Sequence, residues 1–120
     1  MQVIEFEMPG LPPLQNIALL VHRMKRYRLS QEWHELVWAY ASPQRPSKPF
    51  RRYQLSLTRF SSSEPDYDGL VASFKWVVDG LKHAQIIQDD KLSQSGPWNC
   101  SWIKCKKKEG KIRVRVESRD

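Results

Sequence analysis

No apolar run in the 120-residue sequence approaches the roughly 20 residues that a membrane-spanning helix needs, which excludes a helical membrane protein. The first residues, Met1 to Pro9, alternate in polarity and do not place a basic region before an apolar one, so a soluble, non-secreted, cytoplasmic chain is expected. Cysteine is scarce: Cys100 and Cys105 are the only two. They sit five apart in a segment that reads as one strand, where odd spacing puts them on opposite faces, so a disulfide between them is excluded and reduced packing residues are expected. A metal-thiolate site would need two further ligands, and His22, His34 and His83 have no matching pair spacing. Acids are outnumbered, 13 Asp+Glu against 20 Lys+Arg, and the net charge of +7 argues for a polyanionic partner such as nucleic acid.

What is present is core material. Hydrophobic residues make up 40% of the chain and aromatics 11%, with five Trp, which excludes a disordered tail despite 28% charged residues. At 14.2 kDa the chain is sized for one domain over residues 1–120. Val3 to Met8 alternates and stops at Pro9-Gly10, as a first strand does, and Leu11-Pro12-Pro13 is a stiff connector. From Gln15 to about Ala41 the pattern is helical, with Ile17, Leu20, Val21 and Met24 on one stripe and Trp33, Leu36, Val37 and Tyr40 on another. Ser30 is placed as an N-cap for the second stripe, and one helix or a loop followed by a helix both fit. Arg51 to Phe60 reads as a strand with Tyr53, Leu55 and Leu57 on one face. After the Ser61–Pro65 loop, Leu70, Phe74, Val77, Val78 and Leu81 mark an amphipathic helix, and Gln85 to Gln88 an extended link. Cys100 to Lys106 and Ile112 to Val116 read as a C-terminal β-hairpin. The expected fold is α+β: a small mixed sheet, two main helices and that hairpin, in a single domain.

Between Glu35 and Glu109 there are six acids, Glu64, Asp66, Asp68, Asp79, Asp89 and Asp90, bunched around the second helix and its flanks. If Asp66 and Asp68 lie in extended backbone their side chains point to one side; a turn residue followed by an N-cap is the plainer alternative. A helix from Gly69 to Lys82 carries the chain roughly 20 Å away, and an extended 83–90 segment reaches about as far back. Asp89-Asp90 can thus return to the helix start. Such a carboxylate cluster suits Mg²⁺ or Mn²⁺, which take hard oxygen ligands, whereas Asp89-Asp90 alone reads as a solvated turn. On a straight helix Lys75 lies about 20° from Asp68 and could stabilise charge on a phosphate, or it could pair with Asp79 at i+4.

Asp66-Tyr67-Asp68-Gly69-Leu70, then Val78-Asp79-Gly80-Leu81, then Ile86-Ile87-Gln88-Asp89-Asp90 resembles the signature of the RusA family of Holliday-junction resolvases. Pro12-Pro13 and Asn16 are similar to the proline-rich loop of that family, and the order of elements agrees over nearly the whole chain. The resemblance implies a Mg²⁺-dependent endodeoxyribonuclease (Mn²⁺ as the alternative ion), homodimeric, nicking four-way DNA junctions symmetrically in recombination and repair in a bacterial or phage-infected cell. It implies that Asp66, Asp68 and Asp90 are metal-binding and catalytic, with Asp89 as a further carboxylate of the cluster. Counting back four from Asp79 sets the helix lysine at Lys75; counting forward from Asp68 meets Ala72, because about three extra residues intervene. Gly69 stands where the family often has Asn, and Ser61–Pro65 where it has a basic run.

Backbone contacts to DNA are expected from Arg23, Lys25, Arg26 and Arg28 near the first helix and from Lys104, Lys106, Lys107, Lys108 and Lys111 on the terminal segment. Trp33 and Trp76 suit packing or a dimer interface, and Trp98 and Trp102 suit burial before base stacking. A non-catalytic basic nucleic-acid-binding module, and a nuclease for flaps or forks, are the competing readings.

Overall fold

Alternation along four segments decides the architecture. A computed structural model describes residues 2–14 and 23–120. Among these, β1 (Val3–Pro9), β2 (Tyr53–Ser61), β3 (Asn99–Lys104) and β4 (Lys111–Ser118) form one mixed sheet in the order β1-β4-β2-β3. β4 runs antiparallel to β1 and β2, and β3 runs parallel to β2. Ile4, Phe6 and Met8, then Tyr53, Leu55 and Leu57, then Ile112, Val114 and Val116 are all buried on one face. On the opposite face the polar partners form cross-strand ion pairs, Arg115 with Glu5 at 2.8 Å and Arg113 with Glu7 at 2.9 Å. The chain is a small α+β single domain, and among the described residues no helix is long and apolar enough to cross a membrane.

The C-terminal hairpin is not formed. β2 lies between β4 and β3, and the 105–110 connection passes the end of β2, with the Cys105 N–H donating to the Ser61 carbonyl at 3.1 Å. The reason lies in burial. β4 contributes three wholly buried β-branched residues and fits the centre of the sheet, whereas β3 has no buried residue and fits an edge. Sequence adjacency favours a hairpin; the better-matched apolar faces override it. Cys105 falls just past β3, both cysteines are free, and burial pushes the Cys100 thiol up to about 11, as suits a packing residue.

Two main helical units cover the apolar face. α1 (Arg23–Ala41) buries Trp33, Val37 and Ala41, a single line at i, i+4, i+8, while Leu36 is partly buried and Tyr40 exposed. None of residues 23–32 is buried, so Met24 is exposed where a core position was expected, and Ser30 lies inside the helix, not at its start. Asn16, Ile17, Leu20, Val21 and His22 lie outside the described residues. The second unit is broken: α2 (Tyr67–Ser73) and α3 (Lys75–His83) meet at Phe74, which is wholly buried at φ −88°, ψ −2°. The expected stripe of Leu70, Phe74, Val77, Val78 and Leu81 is buried throughout. α3 packs on α1 at Gly80, where a Cβ would come within 2.9 Å of Val37. The small residue after Asp79 is therefore required by helix–helix approach.

Candidate functional site

Asp66 is the last extended residue before α2, at ψ 154°, and its carboxylate makes no capping hydrogen bond. Asp68 lies in the first helical turn, where a negative charge is favoured by the helix dipole. The two acids therefore do not share an extended segment; both are exposed at the mouth of α2. The straight-helix projection that put Lys75 about 20° from Asp68 also does not carry across the break at Phe74.

The return of Asp89-Asp90 is built by local structure. α3 ends in a Schellman turn: Ile86 N–H donates to the Leu81 carbonyl at 3.0 Å, Gln85 N–H to the Lys82 carbonyl at 3.1 Å, and Gln85 takes φ 60°. Residues 86–88 then pair with the chain before β2, through Phe50 N–H to the Ile86 carbonyl and Gln88 N–H to the Phe50 carbonyl, both 2.9 Å. This parallel bridge replaces the free extended link expected there and turns the acid pair back toward α3. A short helix, α4 (Leu92–Ser95), follows.

The two acids of the pair do different work. Lys75 Nζ lies 3.4 Å from Asp79, so the i+4 pair forms, and 3.3 Å from Asp90, which joins it. Burial acts to lower the Lys75 pKa, but the Asp79 charge and the Asp90 hydrogen bond outweigh it and hold the ammonium above its usual range. Asp89 is held locally: its carboxylate accepts from the Asp90 backbone N–H at 2.8 Å and from Lys82 at 3.1 Å. Those two donors, the backbone N–H first, hold its carboxyl below the usual range. The buried Tyr53 hydroxyl donates to the Asp89 carbonyl at 2.6 Å, and burial foremost pushes its pKa up to about 12. Tyr53 and Lys82 are thus parts of the site that pattern reading missed. Their only sequence signal was a hydroxyl on an inward strand position and a lysine near a helix end.

Asp90 lines a cleft of about 400 Å³ with Tyr67, Val71, Leu92 and Trp98 among its walls. Tyr67, which stands between Asp66 and Asp68, thus shares a cleft with Asp90. Carboxylate oxygens are the donors that Mg²⁺ takes, so the chemistry of this set suits the ion. As arranged, however, no group of three or more His, Cys, Asp or Glu among the described residues is gathered to hold a metal.

The basic residues fall into two zones. Arg23, Lys25, Arg26 and Arg28 lie on the unburied half of α1, Lys104 ends β3, and Lys106, Lys107 and Lys108 lie on the connection past the end of β2. Lys111 is engaged otherwise, 3.0 Å from Glu7 and 4.8 Å over the Phe60 ring. Trp33 packs in the core, Trp76, Trp98 and Trp102 pack against it, and the Trp102 indole donates to Ser61 Oγ at 2.9 Å. No protein-family model matches the chain, and no curated protein is similar to it in sequence.

Proposed function

We propose that the chain is a Mg²⁺-dependent endonuclease for branched DNA, four-way junctions above all, acting as a homodimer in the cytoplasm of a bacterial or phage-infected cell. The observation that carries this reading is the approach of Asp90 to Lys75, which returns the acid pair to the helical unit that opens with Asp66 and Asp68. Asp66, Asp68 and Asp90 would hold the ion, which when bound supplies charge stabilisation at the phosphate and an activated water. Lys75 brings a fixed cation beside Asp90 that stabilises the charge developing on the phosphate oxygens. Asp89, held by Lys82 and Tyr53, fixes the backbone from which Asp90 projects. The exposed basic side chains of α1 and of the 104–108 segment bind the phosphate backbone.

A homodimer follows from symmetric nicking of a two-fold junction, which needs two centres related by two-fold symmetry. Sedimentation of monomer alone at micromolar concentration would count against it.

One observation favours a second reading, a non-catalytic basic nucleic-acid-binding module. Asp79, Asp89 and Asp90 are each paired with a lysine, as acids that merely balance nearby cations would be. Cleavage rates on labelled four-way, flap, fork and linear duplex DNA in Mg²⁺ separate the readings. The nuclease reading expects the four-way junction to be cut fastest; faster cutting of flaps or forks changes the substrate, and binding without cutting favours the module.

A further inference from the structure

Beyond the acidic cleft, the start of β2 and the end of β4 enclose a second, polar cleft of about 470 Å³ lined by Arg51, Arg52, Arg119, Ser93, Gln94 and Asp120. In it the Asp120 carboxylate accepts two successive backbone N–H groups, Arg52 to Oδ1 at 3.0 Å and Arg51 to Oδ2 at 3.1 Å. Two adjacent amides converging on the two oxygens of one anion, in a cleft lined by three arginines, is an arrangement that suits phosphate. Arg119 is already engaged by Glu117 at 3.2 Å, whereas Arg51 and Arg52 are exposed and have no ion pair among the described residues.

We propose that this cleft binds a backbone phosphate of the DNA, and that the Asp120 side chain occupies it as an internal mimic until DNA displaces it. Its position gives the site a purpose. α4 contributes Ser93 and Gln94 to this cleft and Leu92 and Ser95 to the cleft of Asp90, so the two lie on opposite sides of one short helix. Arg52 also immediately precedes Tyr53, whose hydroxyl holds Asp89. A strand anchored at the arginines therefore crosses α4 toward the acids. The inference rests on the nucleic-acid part of the proposed function but not on catalysis, and binding can be measured in EDTA with no cleavage.

The experiment is fluorescence anisotropy of a labelled four-way junction in EDTA over a range of salt. The Arg51→Gln/Arg52→Gln double variant is expected to weaken binding about tenfold or more and to lower the slope of log K against log salt by about 1, the loss of one phosphate contact. Asp120→Ala is expected to tighten binding by about threefold or more, since the competing carboxylate is gone. An Arg45→Gln/Lys48→Gln variant removes the same charge elsewhere and serves as the control. The proposal is overturned if the arginine variant binds no worse than this control, if Asp120→Ala binds no better than wild type, or if wild type and Asp120→Ala both fail to bind. Should the arginine variant not fold, amide spectra of the wild-type protein decide: short oligothymidylate must shift the Arg51 and Arg52 N–H resonances, and unmoved resonances refute the site. A junction that is bound in this way yet never cut in Mg²⁺ would sink the nuclease reading and leave this one standing.

Discussion

Lys75 and Asp90, fifteen residues apart in the chain, lie 3.3 Å apart across the Schellman turn that ends α3. Lys75 is more than half exposed, so its ion pairs add little to stability, under about 1 kcal/mol for such a pair. In the proposed nuclease its value would lie in placing a cation where a phosphate arrives. Lys75→Ala is expected to leave the urea midpoint nearly unchanged and junction binding intact while lowering the cleavage rate by about 100-fold or more. A matched loss of binding and cleavage would instead make Lys75 an ordinary backbone contact.

Tyr53 holds the residue before Asp90 through its backbone. Removing its hydroxyl leaves the Asp89 carbonyl without its 2.6 Å donor. Tyr53→Phe should cost about 1–2 kcal/mol in urea unfolding. It should also slow cleavage at saturating DNA more than it weakens binding, because Asp90 loses its fixed backbone. Unchanged unfolding with slowed cleavage would point to a direct role for the hydroxyl.

Gly80 tests the packing that holds α3 on α1. A methyl group there meets Val37 at 2.9 Å, an overpacking of about 1–3 kcal/mol, against which alanine's better helix propensity returns about 1 kcal/mol. Gly80→Val, with more bulk and no such return, should lower stability by more than Gly80→Ala. Pairing either with Val37→Ala should recover part of the loss, read from the coupling between the two substitutions.

His34 of α1, packed beside His83 of α3, gives stability a pH dependence. Their ring centroids are 4.7 Å apart, and the His34 Nε2 is buried without a partner. Burial first, and His83 second, hold the His34 pKa below its ordinary 6.5, with Asp79 pulling the other way. The unfolded chain thus binds more protons than the folded one as pH falls below 6.5, so stability is full above that value and is lost below it, down through the lowered folded pKa. The urea midpoint should fall between about pH 7.5 and pH 5.5, and His34→Leu should flatten the decline.

Strand faces and the buried stripe of the second helical unit were legible in the sequence, because alternation and helical spacing are local properties. The reach of 83–90 back toward the helix was also legible, since it needed only the rise per residue. What receives the chain on its return was not: Phe50 and Tyr53 meet it only once β2 is docked in the sheet. The break at Phe74 was hidden because a buried aromatic fits an unbroken helical stripe equally well. β3 and β4 looked like a hairpin because their separation is short, while the choice of centre and edge depends on all four strands. Asp89 read as one more candidate ligand, and only the positions of Lys82 and the Asp90 N–H turn it into a support.

In the proposed nuclease Asp66, Asp68 and Asp90 work as one metal-dependent cutting centre. The measurement that bears on it most directly compares wild type with Asp68→Asn on a labelled four-way junction in Mg²⁺, in Mn²⁺ and in EDTA, with binding followed in parallel. Paired nicks by the wild type are expected in Mg²⁺ and none in EDTA, and the Asp68→Asn protein is expected to bind the junction at least as well but not to cut it. Junction binding by the wild type with no nicking in either ion would contradict this reading.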